Sequence, residues 1–245
     1  GEYWIVRNDL VKIQGRFMGT KYTFGLAATQ KVAVGGPFIG NHVIEVEPME
    51  KEFGGSILVD GEPVLAQYGT YSVGGVATLT YDGVGELPDM AASQWTKNIV
   101  HMYLPQGVSL TVYRWGNYLD LRIKMPPLRG GQDGSCGNFN GDPADDTTQA
   151  IFERVGVRVG QGEMLFKNRA TIVFTPEMED MLRTNCPAQD LLASREHCQK
   201  ELPQEASTIQ MNSCLFDWCF GMNEHALRTA KTYATPEERV ALGVE

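Results

Sequence analysis

The residues best suited to chemistry lie in one stretch, CGNFNGDPADD, which runs from Cys136 to Asp146. Its oxygen-bearing side chains are those of Asn138, Asn140, Asp142, Asp145 and Asp146. Calcium prefers such hard oxygen ligands, and Gly137 and Gly141 allow the backbone to curl and to turn carbonyl groups inward. The stretch is therefore a candidate calcium-binding loop.

A simpler interpretation of the same loop stays open. Asp145 or Asp146 could cap a short helix from about 148 to 155, with the other polar groups solvated. The loop is not an EF-hand, because Pro143 stands where that motif requires glycine and Gln149 where it requires glutamate. Three carboxylates give a modest ligand charge, which suits the millimolar calcium found outside cells.

Cysteine is unevenly distributed, since four of the five cysteines follow residue 170. They are Cys136, Cys186, Cys198, Cys214 and Cys219. No pair has the C-x-x-C spacing of a zinc or redox site, so we favour disulfides, which imply an oxidising compartment. The odd count leaves one cysteine free, bonded to another chain or bonded to a segment outside this sequence. The spacing does not say which cysteines pair.

Alternating apolar and polar residues predict β-strands through residues 1–170, which hold 25 of the 27 glycines. The pattern is clear at 11–17, where Lys12, Gln14 and Arg16 are expected on a solvent-exposed face. About ten to twelve strands with no helix between them indicate an antiparallel β-sandwich.

Two dipeptides predict tight turns within this sandwich. Asp60-Gly61 is typical of a two-residue hairpin turn, because both positions tolerate positive φ. Gly116-Asn117 is expected to join two antiparallel strands, the second of which alternates strictly from 119 to 125.

The pattern becomes helical over residues 171–245. The sequences TPE at 175–177 and TPEE at 235–238 each provide an N-cap, a proline at the first helical position and acid in the first turn. Leu191, Leu192, Arg195 and Cys198 recur at helical spacing, with cysteines on the apolar faces. We therefore expect a small α-helical module linked by disulfides.

Composition limits the possible partners. The 245 residues are 42 % hydrophobic, which is enough for a core, and the net charge of −9 disfavours nucleic acid and anionic lipid. No apolar run approaches the roughly 18 residues of a membrane-spanning helix, so association with a membrane is expected only through a partner. The chain does not open on a signal peptide, which has been removed or lies outside this sequence.

Catalytic motifs are weak. The segment DGSC at 133–136 is superficially like the nucleophile segment of papain-like proteases, but Gly137 and a turn follow it instead of a helix. None of the four histidines lies in a metal or triad motif. We therefore expect no enzymatic activity.

CGNFNGDPADD resembles the signature segment of von Willebrand factor type D domains. The resemblance extends to KVAVGGPFIGNHVIEV from Lys31, and CLFDWC from Cys214 is similar to the cysteine-rich C8 module that follows such domains. It implies an extracellular β-sandwich, a calcium ion at the loop and a role in adhesion, matrix or filament assembly. Matched by position, the implied ligands are Asn138, Asn140, Asp145 and Asp146, with Asp142 a weaker candidate.

The chain also departs from this family. Asp133 replaces the first cysteine of the usual C-x-x-C, so Cys136 is expected to bridge to one of the four C-terminal cysteines. The family's opening strand, which supplies a further acidic calcium ligand, is not recognisable before the sandwich at 1–170. The calcium site is therefore either completed by an upstream segment or weaker than usual. The module at 171–245 has four cysteines instead of eight, so it is a reduced version.

Together these features predict a non-enzymatic, calcium-stabilised structural or adhesive protein, either secreted or within an oxidising lumen. Its expected partners are other protein chains of a larger or polymeric assembly. Two alternatives remain open, namely a soluble adaptor subunit docked on a membrane complex and a secreted luciferase-like enzyme built on such a domain.

Overall fold

The computed structural model describes residues 1–19, 27–51, 54–83, 98–146, 159–167, 176–202 and 204–220. The protein is mainly β, with two antiparallel sheets followed by three short helices that two disulfides join. By its internal contacts the chain divides into two compact units, Gly1–Met18 with Ala28–Ala170, and Gly19–Ala27 with Thr171–Glu245. In the part of the chain described, no helix is long and apolar enough to cross a membrane.

Sheet A is a meander in which six consecutive strands lie side by side in chain order. Its strands are β1 Glu2–Arg7, β2 Lys12–Gly19, β3 Ala27–Gly35, β4 Ile44–Val46, β5 Ile57–Val59 and β6 Glu62–Val64. Between β5 and β6, Asp60 and Gly61 have φ of 54° and 83°. Positive φ at both turn positions confirms the predicted hairpin.

Sheet B is a second meander of five strands, again in chain order. Its strands are β7 Gly69–Val73, β8 Ala77–Asp82, β9 Ile99–Tyr103, β10 Ser109–Arg114 and β11 Leu119–Lys124. The predicted turn at Gly116-Asn117 is confirmed, since Trp115 N donates to Tyr118 O at 3.0 Å across it and β10 pairs with β11.

The inner faces of the two sheets share one hydrophobic core, which makes the first unit a β-sandwich. Ile13 and Ile44 of sheet A are fully buried in the same cluster as Leu79 and Val112 of sheet B. Burial of such aliphatic side chains provides the main favourable term for folding. The expected antiparallel sandwich is therefore confirmed.

The prediction that β2 has one solvent-exposed face is wrong. Gln14 is fully buried, because the segment 159–167 covers this side of sheet A. Gln14 Nε2 donates to Glu163 O at 2.7 Å, and Gln14 Oε1 accepts from Leu165 N at 2.9 Å. The side-chain amide thus satisfies backbone groups of the covering segment, as a buried polar group must be satisfied.

Arg16 lies on the same covered face and is paired with Glu2. Arg16 Nε donates to Glu2 Oε1 at 3.0 Å, and both side chains are less than 10 % exposed. The guanidinium also lies 4.8 Å from the centroid of the Phe166 ring. Polar residues at alternate positions of β2 therefore form a second buried layer, which the alternation alone could not distinguish from a solvated one.

The second unit contains α1 Pro176–Asn185, α2 Ala188–Glu201 and α3 Thr208–Phe220. The helix predicted from the TPE sequence does begin at Pro176. Disulfides Cys186–Cys219 and Cys198–Cys214 join the helices around a small apolar cluster. The expected disulfide-linked helical module is thereby confirmed.

One detail of the helical pattern was wrong. Leu192 is 67 % exposed, whereas Cys198 is fully buried. Leu191 and Cys198 do lie on the buried side of α2, as predicted, with Ser194 between them, whereas Arg195 is exposed like Leu192. The short helix predicted from 148 to 155 and the helix start at 235–238 lie outside the described residues.

Candidate metal-binding loop

The loop is fixed to the sandwich by strand β1. Arg7 and Asp133 form an antiparallel β-bridge, in which Arg7 N donates to Asp133 O at 2.6 Å and Asp133 N donates to Arg7 O at 2.9 Å. Ser135 N then donates to Trp4 O at 2.9 Å, and Cys136 N donates to Ile5 O at 3.1 Å. The residues just before the loop thus continue the edge of sheet A as a short irregular strand.

Two glycines make this close approach possible. Gly134 has φ of 124°, and a Cβ placed there would lie 2.3 Å from Ile5 O. Gly137 has φ of 84°, and a Cβ there would lie 2.4 Å from Asp146 Oδ1. Glycine is required at both positions because any side chain would meet both a steric overlap and an unfavourable φ.

The Asp145 carboxylate lies where the two asparagine side chains converge. Asn138 Nδ2 and Asn140 Nδ2 each donate to Asp145 Oδ2 at 2.9 Å. Three of the five predicted ligands are therefore brought together by direct side-chain contacts. Asp145 is half-buried, so these charge-assisted hydrogen bonds are partly protected from water.

Asp146 closes the loop on its other side. Its Oδ1 accepts from Asn138 N at 3.1 Å, and its carboxylate packs against Gly137. Within the loop, Asn140 N donates to Asn138 Oδ1 at 3.0 Å, and Asp142 N donates to Asn140 Oδ1 at 2.7 Å. These are successive Asx turns, in which a side-chain oxygen replaces a backbone acceptor.

Asp142 is placed differently from the other four predicted residues. It is exposed, and its Oδ1 accepts from Ala144 N at 2.9 Å, so it caps the 3₁₀ turn Pro143–Asp145. Aspartate is among the preferred residues at such a cap. Its carboxylate therefore serves the backbone, whereas that of Asp145 receives the two amides.

Phe139 has φ of 58° between the two asparagines and is 48 % exposed. A bulky residue in the left-handed region is unusual. Here it reverses the chain so that Asn138 and Asn140, on either side of it, both face Asp145.

Amide and carboxylate oxygens are ligand types that calcium prefers, whereas the groups that converge on Asp145 are the amide nitrogens of Asn138 and Asn140. Each asparagine Oδ1 accepts one backbone N–H and has a second lone pair. The half-buried carboxylates of Asp145 and Asp146 lie on either side of Asn138. Among the described residues, no three side chains of His, Cys, Asp or Glu form a group that could hold a metal, so a site here must also use amide or carbonyl oxygens.

Cys136 does not bridge to the C-terminal cysteines, which corrects the expectation from sequence. All four of those cysteines are used within the helical unit, and Cys136 is a free, exposed residue. Although the residue as a whole is exposed, desolvation at its thiol raises the pKa of Cys136 above its ordinary value. The thiol is therefore protonated at neutral pH, and a protonated thiol is a poor nucleophile.

Asp133 stands where the family usually has a cysteine, and its carboxylate forms an ion pair with Arg7. Arg7 Nη2 lies 3.2 Å from Asp133 Oδ2, while Asp133 Oδ1 accepts from Gly134 N at 3.0 Å. Sequence reasoning missed Arg7 because 126 residues separate the two partners. No local pattern could have identified it.

The family model of the von Willebrand factor type D domain matches residues 77–150. This match and the two disulfides fit an extracellular adhesive or structural protein. The match includes the whole candidate loop, but neither the stretch from Lys31 nor the segment from Cys214. No curated protein matches the chain.

Proposed function

We propose that this chain is a non-enzymatic, calcium-stabilised structural or adhesive protein of an extracellular or lumenal compartment. In this proposal the sandwich is a von Willebrand factor type D-like domain, and the helical unit is a reduced C8-like module. The main support is that the side-chain amides of Asn138 and Asn140 both donate hydrogen bonds to the Asp145 carboxylate, in a loop that the family model also matches. The two disulfides support an oxidising compartment.

The proposed calcium ligands are the side-chain oxygens of Asn138, Asn140, Asp145 and Asp146. A bound calcium would neutralise the two carboxylates and hold together the two ends of the loop. Asp142 remains a backbone cap in this proposal, because its Oδ1 is already engaged by Ala144 N. The loop would then stiffen the region that follows the Asp133 bridge to β1.

Cys136, the nucleophile that opens the loop, is not followed by an activating helix in the described stretch up to Asp146, and desolvation raises the pKa of its thiol. The loop is accordingly proposed to act through rigidity and binding. The proposed partners are other protein chains of a larger assembly.

Thermal unfolding with calcium and with a chelator tests the metal proposal. If calcium is present about 100-fold above its Kd, linkage predicts about 2.7 kcal/mol of added stability for the sandwich. Asp145→Asn should abolish most of this gain. Asp142→Asn is the matched control, because asparagine caps a helix as well as aspartate does and the same single charge is removed.

An unchanged unfolding midpoint at saturating calcium would remove the metal from this account. Loss of the calcium effect in Asp142→Asn but not in Asp145→Asn would reassign the ligands. The assembly role is tested by purifying the native protein and identifying what co-purifies. A partner embedded in a membrane would favour the adaptor alternative, and a strictly monomeric protein would contradict an assembly role.

A further inference from the structure

The outer face of sheet B contains a groove that follows strand β10. Short side chains of β10 form its floor, while longer side chains of β9 and β11 stand on either side. The residues that face into it are His101, Tyr103, Ser109, Thr111, Arg122 and Lys124. The groove encloses about 260 Å³.

Strand register places these side chains in two rows across the sheet. Tyr103 lies opposite Ser109, and Ser109 lies opposite Lys124. The next row has His101, Thr111 and Arg122 in the same order. The hydroxyl groups therefore lie between an aromatic wall and a cationic wall.

The aromatic wall is formed by two rings from β9. The rings of His101 and Tyr103 are nearly parallel, with centroids 6.4 Å apart and planes inclined by 22°. Tyr103 is 58 % exposed, so the face of its ring is accessible to a ligand. The imidazole is held in place, with Nδ1 3.4 Å from Thr111 Oγ1 and Nε2 3.6 Å from Asp82 Oδ1.

The cationic wall stands out against the charge of the whole protein, which is −9. Arg122 and Lys124 are exposed on β11 and point to the same face. The two rows continue onto β8 and β7 only with hydroxyl residues, which are Thr78, Thr80, Thr70 and Ser72. No carboxylate belongs to either row, although Asp82 Oδ1 lies 3.6 Å from His101 Nε2 at one end of them.

Two carboxylates lie one row further along the sheet. Asp82 and Asp120 are in register with Ile99 and Tyr113. Asp120 Oδ2 accepts from Trp115 Nε1 at 2.7 Å, and Asp82 faces the His101 ring. They limit the cationic region at one end. A ligand that lies along the two rows, across the strands, is therefore favoured over one that runs along β10 past Asp82 and Asp120.

The position of the groove argues against an extended peptide. β10 is a central strand paired with both β9 and β11, so its backbone N–H and C=O groups are engaged on both sides. A peptide could not add to it as a further strand. The ligand must be recognised by side chains alone.

These side chains match the groups of a charged sugar. The flat face of Tyr103 suits the apolar face of a sugar ring, and Ser109 and Thr111 can exchange hydrogen bonds with ring hydroxyls. Arg122 and Lys124 suit a sulfate or carboxylate substituent, for which arginine offers bidentate geometry. Since 260 Å³ is below the size of most enclosed small-molecule pockets, one unit of a longer chain is the better fit.

We propose that the outer face of sheet B binds a sulfated saccharide chain, with one sugar unit seated in the β10 groove between Tyr103 and the Arg122–Lys124 pair. This proposal rests on the proposed extracellular role and adds a non-protein ligand to it. It does not depend on calcium, because none of the loop residues lines the groove.

Titration of the full chain with a heparin-derived hexasaccharide at low salt tests this site. Arg122→Gln with Lys124→Gln should weaken binding by about tenfold or more, and Tyr103→Ala should weaken it severalfold. Arg183→Gln with Lys200→Gln is the matched control, since it removes the same charge from exposed positions of the helical unit. The fully desulfated hexasaccharide should bind at least about tenfold more weakly than the sulfated one.

Several results would overturn the site. These are no binding at low salt, equal loss of affinity in the control variant, or equal affinity for the desulfated sugar. Tighter binding of a polyglutamate peptide of similar charge would assign the groove to an acidic protein. If the double variant does not fold, Tyr103→Ala decides the outcome. Repeating the titration with chelator should change nothing, so failure of the calcium proposal and failure of this one are distinguishable.

Discussion

Arg7 and Asp133 are joined both by backbone and by side chain, although 126 residues separate them in the chain. Their backbones exchange hydrogen bonds of 2.6 and 2.9 Å, and their side chains pair at 3.2 Å. The pair therefore fixes the start of the candidate loop to the first strand of sheet A. Because the backbone hydrogen bonds do not involve the side chains, the two contributions can be separated by mutation.

Arg7→Gln or Asp133→Asn should destabilise the sandwich only modestly. Both side chains are partly exposed, at 35 % and 25 %, and water and salt screen such a pair to about 1 kcal/mol or less. A double-mutant cycle in urea measures the coupling. A coupling that is absent even at low salt would show that the bridge is maintained by the backbone alone.

Gly134→Ala should be far more damaging than either of those changes. The added methyl group would meet Ile5 O at 2.3 Å and would also impose a side chain at φ of 124°. We expect a loss of about 2–4 kcal/mol, since both backbone strain and displacement of β1 contribute. The measurement is the urea midpoint of the purified variant.

Gly130→Ala is the control for that experiment. Gly130 has φ of 86°, but a Cβ there would meet nothing within 4 Å, so only backbone strain is added. It should cost about 1 kcal/mol. Equal losses in the two variants would mean that strain, and not the close approach to Ile5, determines the need for glycine at 134.

Arg16→Met should be strongly destabilising because it leaves the Glu2 carboxylate buried without its cation. Both side chains are less than 10 % exposed, and breaking such a buried pair costs about 3–5 kcal/mol. Adding Glu2→Gln should recover part of that loss. Chemical denaturation of the single and double variants provides the comparison.

Arg183→Met is the exposed counterpart of that change. Arg183 pairs with Asp180 on α1, but the two side chains are 73 % and 63 % exposed. Its loss should change stability by less than about 0.5 kcal/mol. If Arg16→Met lowered stability as little as Arg183→Met, the Glu2 carboxylate of the variant would have to be hydrated or protonated.

Cys136 should be the single reactive thiol of the native protein. Alkylation is expected to modify one cysteine before reduction and all five after it, since the other four form two disulfides. Because burial raises the pKa of the Cys136 thiol, the thiolate fraction is small at neutral pH and grows only as the pH rises toward that pKa. The alkylation rate should therefore increase steeply with pH up to and beyond the ordinary thiol value.

A pH-independent rate would contradict the raised pKa. Asp146→Asn removes a carboxylate that lies against Gly137, the residue after Cys136, and so tests whether burial or a nearby charge raises the thiol pKa. The profile should keep its shape in that variant. Four or five reactive thiols in the native protein would instead place the chain in a reducing compartment.

Local patterns were sufficient where neighbouring residues decide the structure. The turn at Asp60-Gly61 depends on two residues that tolerate positive φ, and the start of α1 depends on a proline that suits the first helical position. The cluster of side chains with oxygen donors from Asn138 to Asp146 could likewise be recognised from composition. Its ability to bind calcium remains a prediction.

Tertiary structure decided everything that depends on distant partners. The alternation at Gln14 and Arg16 is the same whether the outer face meets water or protein, and only the covering segment 159–167 made it a buried layer. Cys136 could have paired with any of four cysteines by composition. The fold left it free because the helices bring those four together in pairs.

The loop shows both influences in one place. Sequence determined which oxygen donors are available, because these follow from residue types within nine positions. Folding decided that Asn138, Asn140 and Asp145 converge while Asp142 caps a turn, because that division depends on backbone direction at Phe139 and on the anchoring of Asp133 to Arg7. Side-chain chemistry is a property of the residue, but convergence is a property of the whole chain.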